Sequence, residues 1–152
     1  HLKKEHTNLD LPVISGLSET IDINNYGKED LKNLKIAQYI ISQSIRLNKS
    51  LYNYISEISF LDTNNIILYT SDDATPVYFV GYADLIKKYE PVSQIKDINN
   101  QLLINEIKRK LLFLNSFLKQ VRVYKQSGSF TSIDMRYNDM IVVKNNRINI
   151  EQ

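Results

Sequence analysis

Between Gln101 and Arg122, the residues Leu103, Ile107, Leu111, Leu114, Leu118 and Val121 recur at steps of four, four, three, four and three. No other stretch of the chain has so regular a period. The spacing lays one apolar stripe along an amphipathic helix, and that stripe needs a surface to bury it. The chain offers one in its β-type segments. Tyr54 to Phe60 alternates, with Tyr54, Ser56, Ile58 and Phe60 on one face. Ile66 to Thr70 is a denser apolar run, and Pro76 to Val80 follows, ending at Gly81. The turns between them, Asn64-Asn65 and Ser71-Asp72-Asp73-Ala74, are short and polar. Three such strands read as an antiparallel meander. Pro76 belongs at a strand start or an edge, because it has no amide to donate.

A first helix is expected from about Lys28 to Leu47. Leu31, Leu34, Gln38, Ile41 and Ile45 lie at steps of three and four, and Ile36, Tyr39 and Ile40 widen the apolar face. Glu29 and Asp30 near its start and Arg46 and Lys49 near its end suit the helix dipole. Before it, Leu11 to Gly16 reads as a short entry strand or turn, with Gly16 free to take a positive φ. A turn or two of helix is expected from Ala83 to Tyr89, stopped before Pro91. Residues 92–100 are polar and unpatterned. After the long helix, Gln126-Ser127-Gly128-Ser129 is a loop. Then Ser132 to Val143 reads as two short strands meeting at a tight Asn138-Asp139 turn.

This order predicts an α+β fold, a mostly antiparallel sheet with two main helices packed on one face. Residues 1–10 form a polar lead-in (a linker or expression remnant), residues 11–144 the domain, and residues 145–152 a polar tail. At 152 residues the chain suits one domain with its own core. Hydrophobic residues at 43% and charged residues at 24% exclude a disordered composition. A net charge of +2 is too small to argue for nucleic acid or an acidic membrane. There is no cysteine, so disulfides and thiolate metal sites are excluded. The absence of thiols is compatible with an extracytoplasmic location. No apolar run approaches the roughly 20 residues of a membrane span. The polar start, without signal peptide or initiator Met, is expected of a piece excised from a longer protein.

No catalytic constellation stands out. His1 and His6 have no acidic or thiol partner at ligand spacing, so no metal is assigned. Asp72-Asp73 reads as a solvated turn, and Asp134 as the ion-pair partner of Arg136 on the same strand face. There is no phosphate loop and no nucleophile elbow. The far face of the long helix carries Lys108, Arg109, Lys110, Lys119 and Arg122 against a lone Glu106. It could touch an anionic polymer, but no stacking aromatics are interleaved with it, and a solvated face is the plainer reading. The tyrosines Tyr52, Tyr54, Tyr69 and Tyr78 read as half-buried strand residues. The closing hairpin differs. Met140-Ile141-Val142-Val143 is apolar on both faces. Such a strand is either central and paired on both sides or an edge in want of a partner; its place as the last element is compatible with an edge, and the residues alone do not decide between the two.

The segments, taken in order, resemble the β-domain of FtsQ/DivIB cell-division proteins. Leu11 to Gly16 is similar to the segment that opens that domain. Ile55 to Ser59, Ile66 to Thr70 and Val77 to Gly81 are similar to its meander, and Ile133 to Tyr137 followed by Ile141 to Val143 to its closing strands. The resemblance covers roughly Leu11 to Lys144. It implies a non-enzymatic, cofactor-free scaffold of the division machinery. Such proteins are single-pass, lie on the extracytoplasmic (periplasmic) side of the inner membrane at the septum, and carry a POTRA domain upstream. The implied partners are FtsB-like and FtsL-like division proteins, not nucleic acid, with a partner strand added beside the last strand. Carried over by position, Arg136 and Tyr137 match the family's Arg-Tyr pair, and Met140, Ile141, Val142 and Val143 form the edge. Three departures stand out. The turn glycine of the family is replaced by Asn138-Asp139-Met140, the stretch from Tyr82 to Asn100 is long, and the lead-in is too short for a POTRA domain. The alternative is an extracytoplasmic cell-wall or ligand-binding domain that uses Lys108, Arg109 and Lys110.

Overall fold

The computed structural model describes residues 11–17, 28–83, 100–124, 130–138 and 140–145. The lead-in, residues 84–89 of the short helix expected at Ala83–Tyr89 and most of the polar tail lie outside them. The elements run β1 (Val13–Ser15), α1 (Lys28–Leu47), α2 (Lys49–Tyr54), β2 (Ile55–Ser59), β3 (Asn65–Thr70), β4 (Pro76–Gly81), α3 (Asn100–Tyr124), β5 (Phe130–Asp134) and β6 (Val142–Asn145). The fold is α+β, and the strands form one sheet in sequence order from β1 to β6.

The sheet is mixed, not mostly antiparallel. β1–β2 and β4–β5 pair in parallel, and the other three pairings are antiparallel. The reason is the connections. Tight turns join antiparallel neighbours, whereas a helical crossover returns the chain to run alongside its predecessor. α1 and α2 intervene between β1 and β2, and α3 between β4 and β5.

One row of side chains organises the core. Ile14, Ile58, Leu68, Val77, Ile133 and Val143 stand in register across all six strands. Residues in register share a face of the sheet. Against this face pack Ile36, Ala37 and Ile40 of α1 and Leu103, Ile107, Leu111, Leu114 and Leu118 of α3. The α3 stripe is therefore buried as its spacing predicts. The α1 face is rotated from expectation. Asn33, Ile36, Ala37, Ile40 and Ser44 are buried, while Leu31 and Ile45 are exposed.

Two local features depart from the sequence reading. The first helix does not simply end at Asn48. Asn48 takes an extended backbone and its side chain accepts from the Ser50 amide at 3.0 Å, which caps a second short helix running through Tyr54. Strand β2 then carries a bulge at Ser56, where the register shifts between Ile55 and Glu57. The Ser56 hydroxyl lies 3.1 Å from the carbonyls of both Tyr69 and Thr70. The extra residue breaks the alternation, so Ile55 and Ile58 are both buried and Ser56 does not share their face. At the other edge, Gly16 has φ +86, and a Cβ there would stand 2.5 Å from the backbone of Phe60 and Leu61. Only glycine lets β1 lie this close to the end of β2, where the Phe60 amide donates to the Ser15 carbonyl at 2.9 Å.

Candidate functional site

The closing hairpin is wider than a tight turn. β5 stops at Asp134, and Asp134 pairs with Val142 as the first register position of β6. Met135 to Ile141 therefore make the connection. The cause is a local side-chain contact. The Asp134 carboxylate accepts the Arg136 amide at 3.0 Å, an Asx-type turn that bends the chain out of the strand. Met140 and Ile141, expected in the edge strand, lie in this connection, and β6 extends instead to Asn145, the first residue of the expected tail.

Asp134 lies in register with Tyr78 and Val142, on the face away from the helices. Here Arg136 makes a bidentate ion pair with it, at 2.9 Å through Nε and 2.6 Å through a terminal nitrogen. The other terminal nitrogen donates to Asn65 Oδ1 at 3.3 Å, and the guanidinium carbon sits 4.8 Å from the centre of the Tyr78 ring. Arg136 thus straps β5, β4 and β3 together across the outer face. The hydrogen bond from Arg136 holds the Asp134 carboxyl below the usual carboxylate range, with the charge of Lys110 acting in the same direction. Asn65 also donates to Asp62 at 3.0 Å, and this bond lowers the Asp62 pKa.

From the core side the same connection is held by α3. Lys110, only 2% exposed, donates to the Tyr137 carbonyl at 3.1 Å. Arg109 donates to the Asn138 carbonyl at 3.0 Å and pairs with the buried Glu106 at 2.8 Å. Two of the five cations read from sequence as a basic face, Arg109 and Lys110, are therefore engaged with the hairpin. Lys108 and Lys119 remain exposed on that helix. No local pattern signals this, because the partners of Lys110 and Arg109 are main-chain carbonyls that the fold alone brings near.

The carbonyls of Tyr137 and Asn138 are thus held, Met135 is buried in the core, and two apolar side chains of the connection face solvent. Tyr137 is 50% exposed and Met140 is 56% exposed. Ile141 is half-buried against the core, and Val142 and Val143 are half-buried on opposite faces of β6. Among the described residues, β6 pairs only with β5, so it is an edge of the sheet. Between α3 and the connection, a groove of about 420 Å³ is lined by Arg109, Leu112, Phe113, Ser116 and Asn138. Leu112 is also exposed.

Other candidate positions are plainer. Asp72 and Asp73 are exposed in the β3–β4 turn, where Asp72 accepts the Asp73 amide at 2.8 Å. Among the described residues, no three His, Cys, Asp or Glu side chains converge as metal ligands, and no helix is long and apolar enough to cross a membrane. Comparison of the chain with protein-family models, with curated proteins and with solved structures returned no match.

Proposed function

We propose that this domain is a non-enzymatic docking module that captures extended partner segments by strand addition along β6, as a scaffold of the bacterial division machinery. The carrying observation is the edge strand with its fastened connection. β6 is half-buried on both faces and has no outer neighbour among the described residues. Such an edge offers unpaired backbone groups to an incoming strand. Arg136 on one side and Lys110 with Arg109 on the other hold the adjoining connection. A partner that packs against Tyr137 and Met140 meets a surface whose ordering cost has been met in folding.

The choice of partner rests on the resemblance to FtsQ/DivIB β-domains. It names FtsB-like and FtsL-like division proteins, on the extracytoplasmic side of the inner membrane at the septum, with a membrane anchor upstream. Within this reading, Tyr137, Met140, Val142 and Val143 contact the partner, and Ile141 supports them from beneath. Arg136 presents the edge by holding Asp134. The test is a pull-down with the ectodomains of FtsB and FtsL from the same organism. Capture that is lost on placing a charge at Val142 supports the proposal. Capture unchanged by that substitution removes the β6 edge from it.

A further inference from the structure

The first helix carries a second apolar stripe that the core uses only in part, through Ile41. At about 100° per residue, Leu31, Leu34, Gln38, Ile41 and Ile45 share a sector of roughly 80°, centred some 120° away from that of Ile36, Ala37, Ile40 and Ser44. The latter set is buried under the sheet and α3. The former lies at the surface, with Leu31 at 43% and Ile45 at 52% exposure, Gln38 exposed, and Leu34 and Ile41 half-buried. Their steps of three, four, three and four are those of a coiled-coil seam, with Gln38 at its centre. The seam is about 21 Å long at 1.5 Å per residue.

Its flank is basic. From Leu31 to Leu47 the helix carries Lys32, Lys35 and Arg46 and no acidic residue, and Lys49 follows just beyond its end. Lys35, Arg46 and Lys49 are exposed. The platform is also firm. The Ser44 hydroxyl bonds back to the Ile40 carbonyl at 2.7 Å, and Asn48 donates to Asn115 of α3 at 3.1 Å.

We infer that this face of α1 docks an amphipathic helix of a partner protein, apolar at its a and d positions and acidic along its flanks. The site lies apart from β6 and does not depend on the strand-addition reading. An acidic helix answers both features of the surface, the 3.5-residue seam and its cationic rim. Gln38 sets the register by hydrogen bonding to one polar a-position residue. A lipid surface fits less well, because the widest apolar face of α1 is already in the core and the remaining stripe is narrow and interrupted by an amide.

The test uses the whole chain and two synthetic helices of about three heptads, both with Leu at a and d, one with Glu and one with Lys at e and g. Fluorescence anisotropy is expected to show the acidic helix binding at least tenfold tighter than the basic one. The double variant Leu31→Ser/Ile45→Ser should lose at least tenfold in affinity while unfolding at nearly the same temperature. Lys35→Glu/Arg46→Glu should reverse the preference, and Tyr137→Ala should change neither. Failure of the acidic helix to bind, or equal binding by the double serine variant, overturns the inference. So does stripe-dependent binding to phosphatidylglycerol vesicles without helix binding, which assigns the face to a membrane. Stripe-dependent dimerisation of the chain in sedimentation equilibrium overturns it too, assigning the face to a second copy.

Discussion

The Lys110 ammonium on α3 donates to the Tyr137 carbonyl in the β5–β6 connection at 3.1 Å, from a side chain that is 2% exposed. A charge buried to that degree is costly unless it is well partnered, and its loss strands whatever it was bonded to. Lys110→Ala removes both the bond and the packed hydrocarbon stem, and is expected to destabilise the domain by about 2–4 kcal/mol. Lys110→Met keeps the stem and removes the desolvation cost, so it should be clearly milder. Urea unfolding of the two variants checks the order. A methionine variant as unstable as the alanine variant would mean that the charge itself, not the packing, carries the effect.

Asp134 is held below its ordinary pKa, chiefly by its hydrogen bond from Arg136. The sign follows from linkage. A carboxyl whose folded pKa is depressed stabilises the fold above its unfolded pKa of about 3.9, and that stability is lost as pH falls through the lower folded value. Asp134→Asn should therefore be less stable than the parent at neutral pH, with the difference closing in the acid limb. Arg136→Lys should behave similarly at neutral pH, because an ammonium cannot hold both carboxylate oxygens and stack on Tyr78 together. Thermal melts between pH 2 and pH 7 read this directly. A difference that stays constant across the range would assign the effect to something other than the carboxylate.

The parts of the fold legible in the sequence are those where period and burial coincide. The α3 stripe is buried at five of its six positions, Leu103 to Leu118, the β3 run lies in the middle of the sheet as its apolar density implies, and Pro76 stands at the start of β4. The face of α1 was not legible, because it has two apolar stripes and the more regular one faces out. Ala37 and Ser44 give no hydrophobic signal, yet both are at 0% exposure where α1 packs closely. The place of β6 at the end of the chain is compatible with the edge it occupies without deciding it, and the width of the β5–β6 connection has no sign in the sequence. It depends on Asp134 bending the chain through the Arg136 amide, a contact that overrides the strand pattern of Ile133 to Tyr137. The role of Lys110 needed the fold, since no local pattern distinguishes a lysine that points inward from one that points out.

Gly16 is the position at which β1 is most sensitive. Its φ of +86 and the 2.5 Å approach to Phe60 and Leu61 leave no room for a side chain. Gly16→Ala is expected to cost about 1–3 kcal/mol, through both the left-handed backbone and the clash. Hydrogen exchange should show the loss concentrated where β1 pairs with β2, with α3 and β5 little affected. Loss spread evenly over the sheet would show that β1 is integral to the core rather than an applied edge.

Tyr137 and Val142 test the docking proposal in ways that folding effects do not mimic. Tyr137 is half exposed on a fixed backbone, so Tyr137→Ala removes partner contact area with little effect on stability. If Tyr137 is an anchor residue, binding of an FtsB-like segment should weaken by roughly 30-fold, corresponding to about 2 kcal/mol. Val142 sits on the sheet face away from the helices, in register with Asp134 and Tyr78. A charge there, as in Val142→Glu, would lie beside the negative Asp134 and against any apolar side chain of an added strand. That variant should abolish binding, and its own melting temperature separates loss of the edge from loss of the fold. Isothermal titration with the parent and both variants decides the matter. Affinities that agree within twofold across all three proteins would move the docking surface away from this edge.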